Sequence, residues 1–286
     1  MSSTPKRTES SFRRIAVIGL GAMGGSFARA ATATTSAEVV GWSPDPAERL
    51  SAVDAEAVAA APERWSDAVA GADLVMLAIP LGPTCKMMAE LASTLEPAVV
   101  VADVASLKGP VAEAAAEAGL TRRWVGCHPM AGVAESGFAA SSPTLYDGAT
   151  VWITNDPEAE DSADRMRTLW ARFGATPQQA DPHEHDRMIA LVSALPQLTA
   201  NALATTLAEA GIGPEQLGSG GSDMTRLATS SPDIWIDILS ALPEDLVVGL
   251  RLLGKTVSDL TDAVEGGDMQ EVREAMMRSA KWKAGS

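Results

Sequence analysis

The sequence predicts an α/β protein, in which an N-terminal Rossmann-type doubly wound sheet is followed by an all-helical C-terminal domain. A glycine-rich turn follows the first apolar strand, strand and helix patterns alternate up to about residue 180, and only helical patterns come later. The 286 residues suffice for two domains of ordinary size. We place a disordered lead at 1–13, a dinucleotide-binding domain at 14–180 and a helical substrate and dimerisation domain at 181–286.

Composition narrows the class of protein. A net charge of −15 argues against a nucleic-acid partner. The chain has no run of roughly 18 or more apolar residues, so no membrane span is expected. Residues 1–13 lack the apolar stretch of a signal peptide. Cys85 and Cys127 lack metal-ligand spacing and are expected to be buried reduced thiols, which predicts a cytoplasmic protein without a metal site.

The first strand leads into a Gly-x-Gly-x-x-Gly turn made by Gly19, Gly21 and Gly24, with Ala22 and Met23 between them. The first glycine allows a tight turn, the second lets a pyrophosphate approach the backbone, and the third lets the helix pack closely on the strand. The helix N-terminus attracts the phosphate charge. These five residues therefore predict a binding site for NAD or NADP.

The second strand, over 38–42, ends where this fold normally carries the acid that binds the ribose of NAD. The residue at its tip is Ser43, followed by Pro44 and Asp45. Ser43 neither repels a 2′-phosphate nor binds a diol as a carboxylate does, and no arginine follows at once. The choice between NAD and NADP is therefore open, and Asp45 is either a displaced ribose ligand or a solvated turn acid.

Two further buried strands are predicted, one ending at Pro80 and one running through 97–103. Asp103, Ser106 and Lys108 follow the second of these strands. Because ligands gather outside the carboxyl ends of parallel strands, we expect these residues near the chemistry, with Pro80, Asp103 and Lys108 beside the cofactor. Lys108 has a second interpretation, as a solvated loop charge.

His128 is the strongest catalytic candidate. It lies between a short apolar strand at 124–127 and a glycine-bearing turn. An imidazole titrates near neutral pH and can take a proton during catalysis. The two other histidines, His183 and His185, open a helix and are expected to have structural or capping roles.

Four helical segments are predicted after residue 180, over 184–210, 232–242, 243–265 and 269–283. Pro196 interrupts the first and is expected to kink it. Apolar residues line several of these helices, either as core or as a subunit interface. Small helical second domains of dehydrogenases often dimerise, and we expect a homodimer.

Taken together, the motifs resemble the prephenate/arogenate (cyclohexadienyl) dehydrogenase family over most of the chain. The stretches that carry this resemblance are 19–26 (GLGAMGGS), 103–108 (DVASLK), 128–137 (HPMAGVAESG), 145–148 (LYDG), 185–186 (HD), 193–196 (SALP), 223–228 (DMTRLA) and 231–235 (SPDIW).

The resemblance implies an NAD(P)-dependent oxidative decarboxylation of a small anionic cyclohexadiene, prephenate to 4-hydroxyphenylpyruvate. The family's catalytic histidine maps onto His128, which would take a proton from the C4 substituent. The family's serine maps onto Ser106, which would orient that substituent, and its carboxylate-binding arginine maps onto Arg226. Glu135 lies in the mouth region of the family's site and would gate or position the substrate.

The chain departs from the family near the substrate. The family usually has histidine where this chain has Gln197, and Gly221 and Ser222 replace an aromatic residue and a cation. Drift in a prephenate enzyme would explain the loss, and so would a substrate carrying an amine, because Gln197 offers a carbonyl acceptor. The alternatives are the family's 4-amino-4-deoxyprephenate dehydrogenase branch, which forms 4-aminophenylpyruvate, and arogenate oxidation to tyrosine.

Two other classes of protein fit the same layout. One is a 3-hydroxyacid or imine reductase, and the other is a non-catalytic NAD(P)-binding protein. Neither would need His128 within reach of a substrate.

Overall fold

The computed structural model describes residues 11–133, 135–242 and 244–285. The predicted disordered lead, 1–13, lies mostly outside these residues. The chain divides into two compact units. The first ends at Met188 and also includes Thr229–Ala241, and the second comprises Ile189–Ala228 and the residues from Leu242 onward.

The first unit is built on a seven-stranded sheet with the order β2-β1-β3-β4-β5-β6-β7. Strands β1 to β5 pair in parallel, β6 runs antiparallel to β5, and β7 is parallel to β6. The predicted strands and the α/β fold class are thus confirmed. The strands are β1 Arg14–Ile18, β2 Glu38–Trp42, β3 Leu74–Leu77, β4 Val100–Asp103, β5 Trp124–Pro129, β6 Thr150–Thr154 and β7 Thr176–Gln179.

Helices connect the parallel strands and cover the sheet. The central strands are near-continuous runs of buried apolar residues, as expected for strands covered on both faces. The strand order reverses at β1, because β2 lies on one side of β1 and β3 lies on the other. The carboxyl end of β1 is therefore the switch point at which such folds bind ligands. The helices of this unit are α1 Ala22–Thr34, α2 Pro46–Asp54, α3 Trp65–Val69, α4 Leu81–Thr94, α5 Gly109–Glu117, α6 Glu160–Arg172, α7 Pro182–Ile189 and α10 Pro232–Leu239.

Helices joined by turns and loops, with no strand among the described residues, make up the second unit, as the sequence predicts. Its helices are α8 Leu195–Glu209, α9 Ser219–Thr225, α11 Asp245–Glu265 and α12 Met269–Lys283. The interruption predicted at Pro196 takes the form of a π-helical segment, Ala190–Ala194, directly before α8. A π segment accommodates the backbone group that proline leaves without a hydrogen bond, and such segments are frequent at functional sites.

One helical stretch in the described part of the chain, Pro182–Glu209, is long and apolar enough to cross a membrane by length and composition alone. Polar residues interrupt the stretch, so it contains no unbroken apolar run, and the expectation of no membrane span stays a prediction. A single helix of this kind is weak evidence, since core helices of soluble proteins meet the same criteria. His185, Asp186 and Gln197 are buried within the stretch, while 28% of its most apolar 18-residue window is buried.

Candidate active site

Two positions of the predicted turn require glycine, because other backbone atoms lie too close to leave room for a side chain. Gly19 has φ +98°, a left-handed conformation that favours glycine, and a Cβ there would overlap the carbonyl oxygen of Ala78. A Cβ at Gly24 would collide with the carbonyl oxygen of Gly19. The turn therefore has the tight bend and the close helix–strand contact that the sequence predicts.

Gly21 has a different environment. A Cβ placed there would meet, within 4 Å and among the described residues, only Oε1 of Glu48, at 3.9 Å. Gly21 precedes α1, whose first residues are Ala22 and Met23, and the Met23 carbonyl accepts a 2.7 Å hydrogen bond from Tyr146 Oη. An open space at a helix N-terminus fits the pyrophosphate of a dinucleotide.

The tip of β2 is held by α2. Ser43 is buried and its hydroxyl donates to Glu48 Oε2. Asp45 caps α2, since its carboxylate accepts a 2.8 Å hydrogen bond from the Ala47 backbone N–H. Of the two interpretations of Asp45, the structure thus gives it a structural task at an exposed turn.

Asp103 and Lys108 form a fully buried ion pair behind the carboxyl end of β4. The Asp103 carboxylate also accepts from Trp124 Nε1 and from the Ala105 backbone N–H, each at 2.9 Å. Lys108 Nζ donates to the Cys127 carbonyl at 3.1 Å. Lys108 is therefore not a solvated loop charge. That this pair and Pro80, which precedes α4, contact the cofactor stays a prediction.

His128 is half-buried near the end of β5 and contacts a second histidine. Its Nδ1 lies 2.9 Å from Nε2 of His185, and Nδ1 of His185 lies 2.8 Å from Oδ1 of Asp186. The Asp186 carboxylate also accepts from the backbone N–H groups of Lys108 and Gly109, each at 2.8 Å. Three side chains from β5 and α7 thus form one hydrogen-bonded series.

The series determines which nitrogen of His128 can act as a base. An ionised carboxylate only accepts, so Asp186 accepts a hydrogen bond from the Nδ1–H of His185, and Nε2 of His185 accepts a hydrogen bond from the Nδ1–H of His128. Nε2 of His128 keeps its lone pair. Burial is the main cause that lowers the pKa of His128 well below its usual value, and electrostatic interactions with His185 and Lys108 lower it further. His128 is therefore a neutral proton acceptor at neutral pH.

Sequence reasoning missed this role of His185, which it treated as structural or capping. The adjacent His185-Asp186 pair was already among the matching motifs, and it was the available signal. Two other predicted residues lie in the same unit, with Ser106 half-buried in the loop from β4 to α5 and Glu135 exposed in the loop after β5.

The remaining predicted residues belong to the second unit. Gln197 is buried, and its Nε2 donates to Asn201 Oδ1 at 3.1 Å and to the Leu227 carbonyl at 2.7 Å. Its Oε1 is buried without a hydrogen-bond partner among the described residues. Arg226 opens a 3₁₀ turn, Arg226–Thr229, and Ser222 lies on α9, both exposed. Their substrate-binding roles stay predictions.

A Rossmann-type sheet with its glycine turn, a hydrogen-bonded histidine series and a helical second unit define an oxidoreductase that binds a nicotinamide dinucleotide. The chain belongs to the prephenate dehydrogenase family. Residues 27–177 match the model of the prephenate dehydrogenase nucleotide-binding domain, and residues 181–278 match that of the dimerization domain. These matches confirm the predicted family and the prediction of NAD or NADP as cofactor.

Individual relatives are similar over most of the chain. A prephenate dehydrogenase from Bacillus subtilis is 30% identical over 233 residues. The matched region covers 79% of this chain and 63% of that relative's length. A 4-amino-4-deoxyprephenate dehydrogenase from Streptomyces pristinaespiralis is 28% identical over 90% of this chain and 86% of its own. The crystal structure of prephenate dehydrogenase from A. aeolicus, in complex with hydroxyphenyl propionate and NAD+, superposes with a TM-score of 0.86 at 26% identity, covering 96% of this chain and 98% of the other.

Proposed function

We propose that the protein catalyses the NAD(P)-dependent oxidative decarboxylation of a prephenate-type cyclohexadiene. The observation that carries this proposal is the His128–His185–Asp186 series, which holds His128 neutral with one nitrogen available as a proton acceptor. A non-catalytic dinucleotide-binding protein would not need this arrangement, and the family matches over residues 27–177 and 181–278 favour a prephenate-type substrate over a 3-hydroxyacid.

The proposed reaction uses His128 at the C4 hydroxyl of the substrate. A bound nicotinamide would supply the acceptor for the hydride that leaves C4. Nε2 of His128 takes the hydroxyl proton, so that C4 becomes a carbonyl carbon. The bond from C1 to the carboxylate then breaks, its electron pair enters the ring, and CO2 leaves. The ring becomes aromatic, and His128 returns the proton to the phenolate oxygen, which leaves no net proton change.

The other predicted residues complete this proposal. Ser106 orients the C4 substituent, Arg226 pairs with a substrate carboxylate, and Glu135 positions the substrate or gates its entry. Arginine suits a carboxylate because its planar guanidinium donates two parallel hydrogen bonds. The net charge of −15 makes such a specific cation necessary for an anionic substrate.

Prephenate is the first candidate substrate, and 4-amino-4-deoxyprephenate is the second. The buried Oε1 of Gln197 favours the second, because an unpartnered acceptor in a buried position suits an amine donor. The name of the Streptomyces relative supports the same candidate. Arogenate carries its amine on the side chain and is the third candidate.

Turnover of the three compounds tests the reaction and separates the substrates. We would measure kcat/KM for prephenate, 4-amino-4-deoxyprephenate and arogenate, each with NAD and with NADP, and quantify CO2 and reduced cofactor. The proposal expects equal amounts of both products from at least one compound. A failure to oxidise any of the three would contradict it.

We also propose that the protein is a homodimer formed through its second unit. The match to a dimerization domain supports this, and α11 and α12 expose large apolar side chains, including Leu252 and Trp282. Contiguous exposed apolar surface usually marks an interaction site. Light scattering after size-exclusion chromatography should give about twice the mass of 29.6 kDa, and Leu252→Glu should shift the mass toward the monomer. A monomeric wild-type protein would contradict the proposal.

A further inference from the structure

The tip of β2 lacks the acid that this fold normally uses to bind the ribose of NAD, but a carboxylate from α2 occupies the same neighbourhood. Ser43 stands at the tip, and its buried hydroxyl donates to Oε2 of Glu48. Glu48 is half-buried, in the first turn of α2. The hydrogen bond therefore fixes a carboxylate directly beside the position where the usual acid would stand.

The second oxygen of Glu48 faces the glycine turn. Oε1 lies 3.9 Å from the position of a Cβ on Gly21 and 3.6 Å from that of a Cβ on Gly137. Gly21 is the residue at which a pyrophosphate approaches the backbone, so Oε1 borders the space between the phosphate site and the tip of β2. The ribose of the adenosine half of a dinucleotide lies between those two points in a Rossmann fold.

We propose that Glu48 supplies the carboxylate that binds the 2′-hydroxyl of this ribose, and that the protein selects NAD over NADP. One oxygen of Glu48 is held by Ser43, and the other accepts from the ribose hydroxyl. A 2′-phosphate would place two like charges in contact, which is strongly unfavourable. The proposal rests on the dinucleotide binding that the proposed function requires.

Arg49 is the basic residue next to Glu48, and it contacts the backbone of the turn. Its Nη1 donates to the Ser43 carbonyl at 2.6 Å and to the Pro44 carbonyl at 3.4 Å. These contacts tie the guanidinium to the loop that follows β2. A competing arrangement, in which Arg49 binds a 2′-phosphate, is an outcome that the test must separate from ours.

The test is cofactor binding without substrate, measured by calorimetry on the full chain. We would determine Kd for NAD and NADP with the wild type, Glu48→Gln and Asp45→Asn. Asp45→Asn is the matched control, since it removes one carboxylate from the same turn and asparagine caps a helix as well as aspartate does. Circular dichroism and thermal unfolding would verify that both variants fold.

We expect the wild type to bind NAD at least about tenfold more tightly than NADP. Glu48→Gln should shift the ratio of the two dissociation constants by about tenfold or more toward NADP, and Asp45→Asn should leave it within about twofold. A wild type that prefers NADP, with NADP binding lost in Arg49→Ala, would overturn the proposal. An unchanged ratio in Glu48→Gln would also overturn it. These outcomes are independent of the reaction, because no turnover is measured.

Discussion

Nδ1 of His128 lies 2.9 Å from Nε2 of His185, and this contact joins the end of β5 to α7. Asp186, the next residue on α7, fixes the orientation of His185 and is itself held by two backbone N–H groups at the start of α5. A carboxylate that accepts three hydrogen bonds has one orientation. The backbone at the start of α5 thus determines the tautomer of His128, the proposed base, through hydrogen bonds to Asp186 and His185.

Asp186→Asn should lower kcat by roughly 10²-fold or more, because an asparagine amide can turn its N–H toward Nδ1 of His185 and reverse both tautomers. The pH profile of kcat/KM should change with it. The control is Asp181→Asn, which replaces the carboxylate that caps the same helix through the backbone N–H groups of His183 and Glu184. A purely structural Asp186 would lower stability and leave the pH profile of the folded enzyme unchanged.

The lowered pKa of His128 predicts the pH dependence of activity. Because the folded-state pKa lies well below the ordinary value, the base stays unprotonated in mildly acidic solution. The acidic fall of kcat/KM should therefore occur below about pH 6.5, the ordinary value for histidine. A fall centred at or above that pH would contradict the assignment of His128 as the base.

The pH dependence of the free energy of unfolding should also reflect the lowered pKa of His128. A folded-state pKa below the unfolded one means that the unfolded chain binds the proton first as pH falls. The contribution of His128 is thus fully present above about pH 6.5 and is lost as pH falls toward its folded-state pKa. Urea unfolding should show that the stability of the wild type relative to His128→Asn decreases from pH 8 to pH 5. The slope should be that of about one proton, which the unfolded chain binds and the folded chain does not. A constant difference would contradict this.

Lys108→Met should lower the free energy of unfolding by about 3–5 kcal/mol, because it leaves the buried Asp103 carboxylate without its cation. Lys86→Met removes an exposed lysine on α4 and should change stability by less than about 0.5 kcal/mol. Chemical denaturation checks both. Equal stability of the two variants would show that the buried pair is not a required element of the fold.

The sequence predicts the fold well because its strongest signals are local. The apolar run of β1, the turn at Gly19 and the helical spacing after residue 180 each specify a local structure, and all three were confirmed. Pro196 was also recognised as an interruption, although a π segment is not distinguishable from a kink in sequence alone.

The site was predicted less completely because its key contacts are not local. His128 and His185 are separated by 57 positions, and only the folded sheet brings α7 to the end of β5. Lys108 is polar in sequence, so its burial could not be expected without knowledge of Asp103 and Trp124 around it. The proposed role of Glu48 was not predicted for a similar reason, since only the folded turn brings its carboxylate to Ser43 at the tip of β2.

Gln197→His should shift the ratio of kcat/KM values by about tenfold toward prephenate and away from 4-amino-4-deoxyprephenate. The substitution removes the buried Oε1 acceptor, which suits an amine, and introduces the imidazole that the family usually has there. Gln270→His, on an exposed position of α12, is the matched control. An unchanged ratio of kcat/KM values would show that Gln197 does not determine which substrate the enzyme prefers.

The most direct test of the account is a comparison of His128→Asn with the wild type on the preferred substrate, with cofactor binding measured on the same preparations. We predict that kcat falls by roughly 10²-fold or more while the Kd of the cofactor stays unchanged. Turnover near the wild-type rate would remove His128 from the mechanism and contradict the central claim.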